Sequence, residues 1–208
     1  TTIETRAFFN CISLRSVTIP KTVTSIESHA FDNCKNLKEI AISDGVTHIA
    51  EFAFWYCESL SSVNIPCSVV SIGKQAFSQC LSLQSVIIPD SVTNLDAAVF
   101  NHCTCLKSVN LPKNLKYLKS VSIDNELHFG LFTDCSSLQS IVIPETVRVI
   151  EDNTFAGCSA LTKITIPYEV RRIGKNVFKG CSALTSIIWN AKACLPTKWT
   201  EENYKYHH

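Results

Sequence analysis

The chain has 208 residues, 46% of them apolar and 18% charged, with 19 basic residues against 18 acidic ones and a net charge of +1. That length can bury a substantial core, and so many Ile, Val, Leu and Phe side chains exclude disorder. The even balance of charge argues against nucleic acid or an anionic membrane as the main partner, and no run of 18 apolar residues exists to span a bilayer.

Methionine is absent, even from position 1, so Thr1 reads as the start of a processed chain or an excised piece. From residue 8 onward one spacing governs the sequence. Phenylalanine stands at Phe8, Phe31, Phe54, Phe77, Phe100, Phe132, Phe155 and Phe178. Three residues after each comes a cysteine (Cys11, Cys34, Cys57, Cys80, Cys103, Cys135, Cys158, Cys181), and three further a leucine (Leu14 through Leu184). The step is 23 residues everywhere except between Phe100 and Phe132, where it is 32. A fixed period of this size marks a solenoid. Eight repeats are expected over residues 1–190, with a nine-residue insertion in the fifth at about 120–130.

Each unit reads the same way. Val17 and Ile19 alternate with polar residues, which predicts a short strand with one buried face, and Pro20 ends it because it has no N–H for the ladder. Val23 and Ile26 predict a second inward turn or short strand. Ala30, Phe31 and Cys34 then share a face at helical spacing, so one short helical turn held by packing is expected. A single unit cannot bury its apolar residues alone, but stacked units can. Ile3 already occupies the second-strand column, so the chain begins inside a repeat, and further repeats are expected upstream.

The string Ala76-Phe77-Ser78-Gln79-Cys80-Leu81-Ser82-Leu83-Gln84-Ser85-Val86-Ile87-Ile88-Pro89 resembles the BspA-type leucine-rich repeat. The resemblance covers residues 3 to 190. It implies a right-handed leucine-rich-repeat solenoid with short parallel strands on the concave face and turns and short helical turns on the convex face. It also implies a secreted or cell-surface, extracellular setting and an adhesin-like role in binding host or microbial proteins, with no catalytic residues. Ser43 and Asn190 depart from the pattern, since proline is expected at both, and so does Trp189, where an aliphatic residue is expected.

Several positions stand out along the chain. Phe9 and Trp55 lie in a column otherwise made of Asp32, Ser78, Asn101, Thr133, Ala156 and Lys179, which predicts exposure to solvent. With Phe52 and Tyr56 they form an aromatic patch able to anchor an interface, or one that packs on neighbouring coils. The cysteine column is read as small buried side chains filling the turn. Parallel equivalent side chains do not converge for disulfides or tetrahedral metal ligation. Cys67, Cys105 and Cys194 are strays, and Cys67 is expected to be a free thiol.

The insertion, Val121 to Gly130, is expected to bulge and to present Asp124, Glu126, His128 and Phe129, since a long interruption of a strict repeat is often a functional loop. Next to it Lys116, Arg148 and Arg171 share one column, with Tyr117 and Arg172 in the next. Such a row suits an acidic protein segment or an anionic glycan, although a solvated charge row has the same appearance. Outward strand positions form two further columns, Ser16 to Ser186 and Thr18 to Ile188, of mostly small hydroxyl and amide side chains. Residues 187–206 are read as a C-terminal cap and His207-His208 as a tag remnant.

No nucleophile, base and orienting group come together, and no phosphate-binding glycine loop is present. The sequence therefore predicts a binding module without cofactor or metal. Its expected partner is a host or microbial surface or matrix protein; a carbohydrate-binding face and a passive spacer are the alternatives.

Overall fold

The computed structural model describes residues 1–122 and 128–192. They form a parallel-strand solenoid of eight coils, each wound around one phenylalanine of the 23-residue column. Three-residue strands at Ser16–Thr18, Glu39–Ala41, Ser62–Asn64, Ser85–Ile87 and Ser108–Asn110 stack in chain order as a front sheet. A second piece of the same face pairs Lys163–Ile166 with Ser186–Trp189. Two-residue strands at Thr2–Ile3, Ser25–Ile26, His48–Ile49, Ser71–Ile72 and Asn94–Leu95 stack as a side ladder. Tyr117–Leu118, Val149–Ile150 and Arg172–Ile173 continue that face as a separate ladder.

The register follows the sequence period. Ser16 pairs with Glu39 and Ser25 with His48, each 23 residues on. Across the insertion Tyr117 pairs with Val149, so the nine extra residues are looped out without shifting the faces. They leave the column as a hairpin in which Ser120–Ser122 lies antiparallel to His128–Gly130. Asp124 and Glu126 lie outside the described residues, as do 193–208 with Cys194, most of the expected cap and the terminal histidines. Trp189, in the expected cap, ends the last front strand opposite Ile166.

The core is the column set foreseen from the period. Eight phenylalanine rings stack with centroids 5.0 to 6.0 Å apart and planes within 7° of parallel. Six of them, Phe31 through Phe155, are fully buried. Offset stacks of this kind add about 0.5–1.5 kcal/mol per pair beyond the area they bury. The cysteines fill the adjoining turn. From Cys34 onward each thiol donates to the carbonyl of the phenylalanine one coil earlier, from Cys34 Sγ to Phe8 O at 3.1 Å to Cys181 Sγ to Phe155 O at 3.1 Å. A thiol is only a weak donor, but here it satisfies a carbonyl in the dry interior. Ser43, which replaces proline, has a buried hydroxyl with no hydrogen-bond partner among the described residues.

Two expectations need correction. The convex segments contain no helix among the described residues. They are successive tight turns, such as Ala30 N–H to Glu27 O and Cys34 N–H to Phe31 O, while alternate amides reach the next coil, such as Phe31 N–H to Ala53 O at 2.8 Å. The helical run fails because the residues two before and two after the interior phenylalanines, Gly130 before Phe132 excepted, take the left-handed conformation, for example His29 (φ 57°) and Asn33 (φ 60°). That reversal turns every second N–H outward to the neighbouring coil. The column of Phe9 and Trp55 is also less open than expected. Asp32 is 3% exposed and Ser78 0%, and Asn101, Thr133 and Ala156 are buried too, because the same inter-coil bonds draw adjacent turns together over small side chains.

Candidate binding surfaces

The side ladder brings the basic residues into one row. Arg148 N–H donates to Lys116 O at 2.9 Å and Arg171 N–H to Arg148 O at 2.8 Å, so the three side chains leave successive coils about 4.8 Å apart. All three are exposed. Arg171 is held loosely by Glu169 at 4.0 Å, and Arg172 reaches Glu151 at 3.7 Å. Lys116 and Arg148 have no ion pair among the described residues. Like charges leaving neighbouring coils repel each other, so the row is a place where a negative partner gains. Tyr117 is 49% exposed and, with Lys116 and Lys119, lines a slot of about 100 Å³ against Thr93 and Asn94. The slot lies where the two side ladders fail to pair.

The hairpin sits beside this row but turns its side chains inward. His128 and Phe129 are half-buried. Phe129 meets His102 edge-on at 6.2 Å, and the His128 carbonyl accepts from Asn153 Nδ2 at 3.1 Å. Glu151 Oε2 accepts from the Ser120 amide at 2.7 Å, fastening the hairpin base to the next coil.

The aromatic residues gather on the convex turn of the third coil, away from the basic row. Phe52 stacks on His29 at 4.8 Å and meets Trp55 edge-on at 5.5 Å, and Trp55 meets Tyr56 at 4.6 Å. Lys74 Nζ lies 5.7 Å from the Phe52 ring. All three rings are therefore half-buried against one another. Phe9 stands apart at 49% exposure, with the Arg6 guanidinium 5.8 Å from its ring. Beneath the cluster His29 Nδ1 lies 2.8 Å from Asp32 Oδ2. Burial pushes the Asp32 carboxyl above its ordinary range, against the opposing pull of His29 and Arg6.

The thiols divide by exposure. Cys11, Cys67 and Cys105 are exposed, and the other seven described cysteines are buried and unpaired. Burial raises Cys34 and Cys181 to about 11 and Cys103 to about 12, so these are inert, protonated side chains. The outward strand column expected from the period also carries exposed apolar side chains. Ile87 and Val142 stand out from the front face at 71% and 82% exposure.

Fold and surface together define a repeat scaffold of the leucine-rich class, with long faces and no enclosed cleft in view among the described residues. The BspA type leucine rich repeat region matches residues 1–129 and 125–195 in six copies, and the chain belongs to that family. A leucine rich repeat protein of T. pallidum (TpLRR) is 33% identical over 77% of this chain and 71% of that one, with a TM-score of 0.68. A leucine-rich repeat protein from Bacteroides ovatus is 26% identical at a TM-score of 0.61. Its match covers 92% of this chain, which spans only 59% of that protein. A third such protein, from Eubacterium ventriosum, is 24% identical with a TM-score of 0.57 and shares the fold. No curated protein sequence matches significantly.

Proposed function

We propose that the chain is a non-catalytic, cell-surface or secreted binding module that engages an extended acidic segment of a partner protein. The observation that carries this reading is the exposed, unpaired couple Lys116–Arg148, extended by Arg171 one coil further. Its geometry favours a partner laid along the solenoid axis, since the cations repeat once per coil and not along one strand. Tyr117 beside the row supplies an amphipathic ring of the kind that anchors protein interfaces. The family and fold are repeat scaffolds, which fits a role in recognition.

The test is capture of the protein on immobilised extracellular-matrix, epithelial and bacterial-surface proteins. Binding to at least one is expected, falling as salt rises and falling at least tenfold in a Lys116→Glu/Arg148→Glu double variant. Binding that ignores both salt and the double variant would remove the basic row from the account. Capture on heparin but on no protein would reassign the row to an anionic glycan, and no binding at all would leave a spacer.

A further inference from the structure

We propose a second site, distinct from the basic row, for a neutral hydroxylated ligand: one or two sugar units of an uncharged glycan, seated in a notch over the third and fourth coils of the side ladder. The argument begins with the column immediately after the side strands, which reads Glu4, Glu27, Ala50, Gly73, Asp96, Lys119, Glu151 and Gly174. Where a long side chain occupies this column, it covers polar groups of the ladder or its flank. Glu4 takes the Thr2 hydroxyl at 2.5 Å and Glu27 the Ser25 hydroxyl at 2.6 Å. Lys119 Nζ donates to Asn94 Oδ1 at 2.9 Å, and Glu151 Oε2 accepts from the Ser120 amide at 2.7 Å.

At Ala50 and Gly73 the cover is missing on two consecutive coils. The result is a shallow, open groove of about 390 Å³, about 9.6 Å wide as two strand spacings. Its floor is the row Ser25, His48, Ser71 and Asn94. The Ser71 hydroxyl makes no hydrogen bond among the described residues. His48, which lines the notch, uses only Nδ1, toward Thr47 Oγ1 at 2.7 Å, and its Nε2 makes no hydrogen bond among the described residues. The strand side chains of these two coils thus still have bonds to give.

The chemistry of this set selects the ligand class. Hydroxyl, imidazole and amide groups at a step of about 4.8 Å supply both donors and acceptors, which complements a ring carrying several hydroxyls. Glu27 on one rim disfavours an anion. A single carboxylate already bonded to Ser25 is too little for a cation. Ile49 and Ala50 are the apolar side chains of the lining, and Ile49 is itself buried in the core, so little apolar side-chain surface is offered to a peptide.

The column itself provides the decisive variant. Ala50→Glu restores the residue that three other coils carry, so it fills the notch without a change the fold has not already accepted. Saturation-transfer NMR on the intact chain with maltotriose, lactose and chitotriose is expected to show transfer to at least one saccharide. Ala50→Glu should reduce that affinity at least tenfold and Ser71→Ala three- to tenfold, with unchanged circular dichroism and melting temperature. Lys116→Glu/Arg148→Glu should leave it within twofold. Repeating the assay with the same units immobilised as polysaccharide separates a free oligosaccharide from a polymer as the source. Transfer to none of the three, binding retained by Ala50→Glu, or binding lost with the basic row would each overturn the site.

Discussion

The convex turns of the third and seventh coils have one backbone and two different surfaces. In the third, the left-handed positions are filled by Phe52 (φ 57°) and Tyr56 (φ 55°), with Trp55 between them. In the seventh, the equivalent positions are Asn153 (φ 53°) and Gly157 (φ 75°), with Ala156 between. Left-handed backbone is cheap for glycine and tolerable for asparagine, but bulky side chains resist it by about 1–2 kcal/mol each. Yet both turns close on the same interior, a phenylalanine in the stack and a thiol donating to the previous coil. The interior therefore fixes the turn, and it is strong enough to hold aromatic residues in a conformation they disfavour. What the surface carries is independent of what makes the coil, which is why this architecture can change its faces coil by coil.

The comparison can be broken most directly from inside. Phe54→Ala and Phe155→Ala should each lose about 3–5 kcal/mol in urea unfolding, and a much smaller loss at either would show that the two turns do not share one interior. Next in size is the response to alkali. Burial raises Cys57 and Cys158 alike well above 9.0. A group with a raised folded pKa contributes stability that is complete below its unfolded value and is lost as pH rises through the folded one. The melting temperature should therefore hold up to about pH 9 and fall toward pH 12, the interval bounded by Cys34, Cys181 and Cys103. Alkylation of the native protein at pH 8, mapped by mass spectrometry, should label Cys11, Cys67 and Cys105 while sparing Cys57 and Cys158 equally.

Smaller effects probe the surfaces. Gly157→Ala should cost about 1–2 kcal/mol, because a Cβ there meets the Asp134 side chain on backbone that already favours glycine. Phe52→Asn/Tyr56→Asn should change stability by less than about 1 kcal/mol, since relief of backbone strain offsets the lost ring contacts. A loss comparable to Phe54→Ala would mean that the aromatic cluster belongs to the core.

The stack was legible in the sequence because its signal is repetition: Phe, Cys and Leu recur at a fixed step, and each recurrence confirms the others. The Lys116–Arg148–Arg171 row followed from the same arithmetic. The turn type did not, because Arg6, His29, Phe52, Gln75 and Ala98 all occupy left-handed positions, and none of these residue types announces that conformation. The burial of the Phe9–Trp55 column is not legible because polar residue types suggest a solvent-facing position, whereas Ser78 and Asn101 bond each other beneath the surface at 3.4 Å. The notch at Ala50 and Gly73 was present in the column all along. It acquires meaning only once the neighbouring Glu27 and Lys119 are seen to lie across their strands.

The ladder hydrogen bonds run along the long axis, so tension applied to the two ends loads the coils in series, like links of a chain. The links are unequal. The side ladder is interrupted between Asn94–Leu95 and Tyr117–Leu118, and on both flanks of the sixth coil the front sheet is missing, with residues 140–143 forming no strand. On the front face the bonds left there are long, Gln139 N to Lys107 O and Thr162 N to Gln139 O both at 3.4 Å, so the convex turns carry the junctions, with His102 N to Thr133 O at 2.8 Å and Asp134 N to Ala156 O at 2.7 Å. A molecule tethered at one end and pulled at the other would part first beside the sixth coil. Coils one to five would then come away as one intact rod.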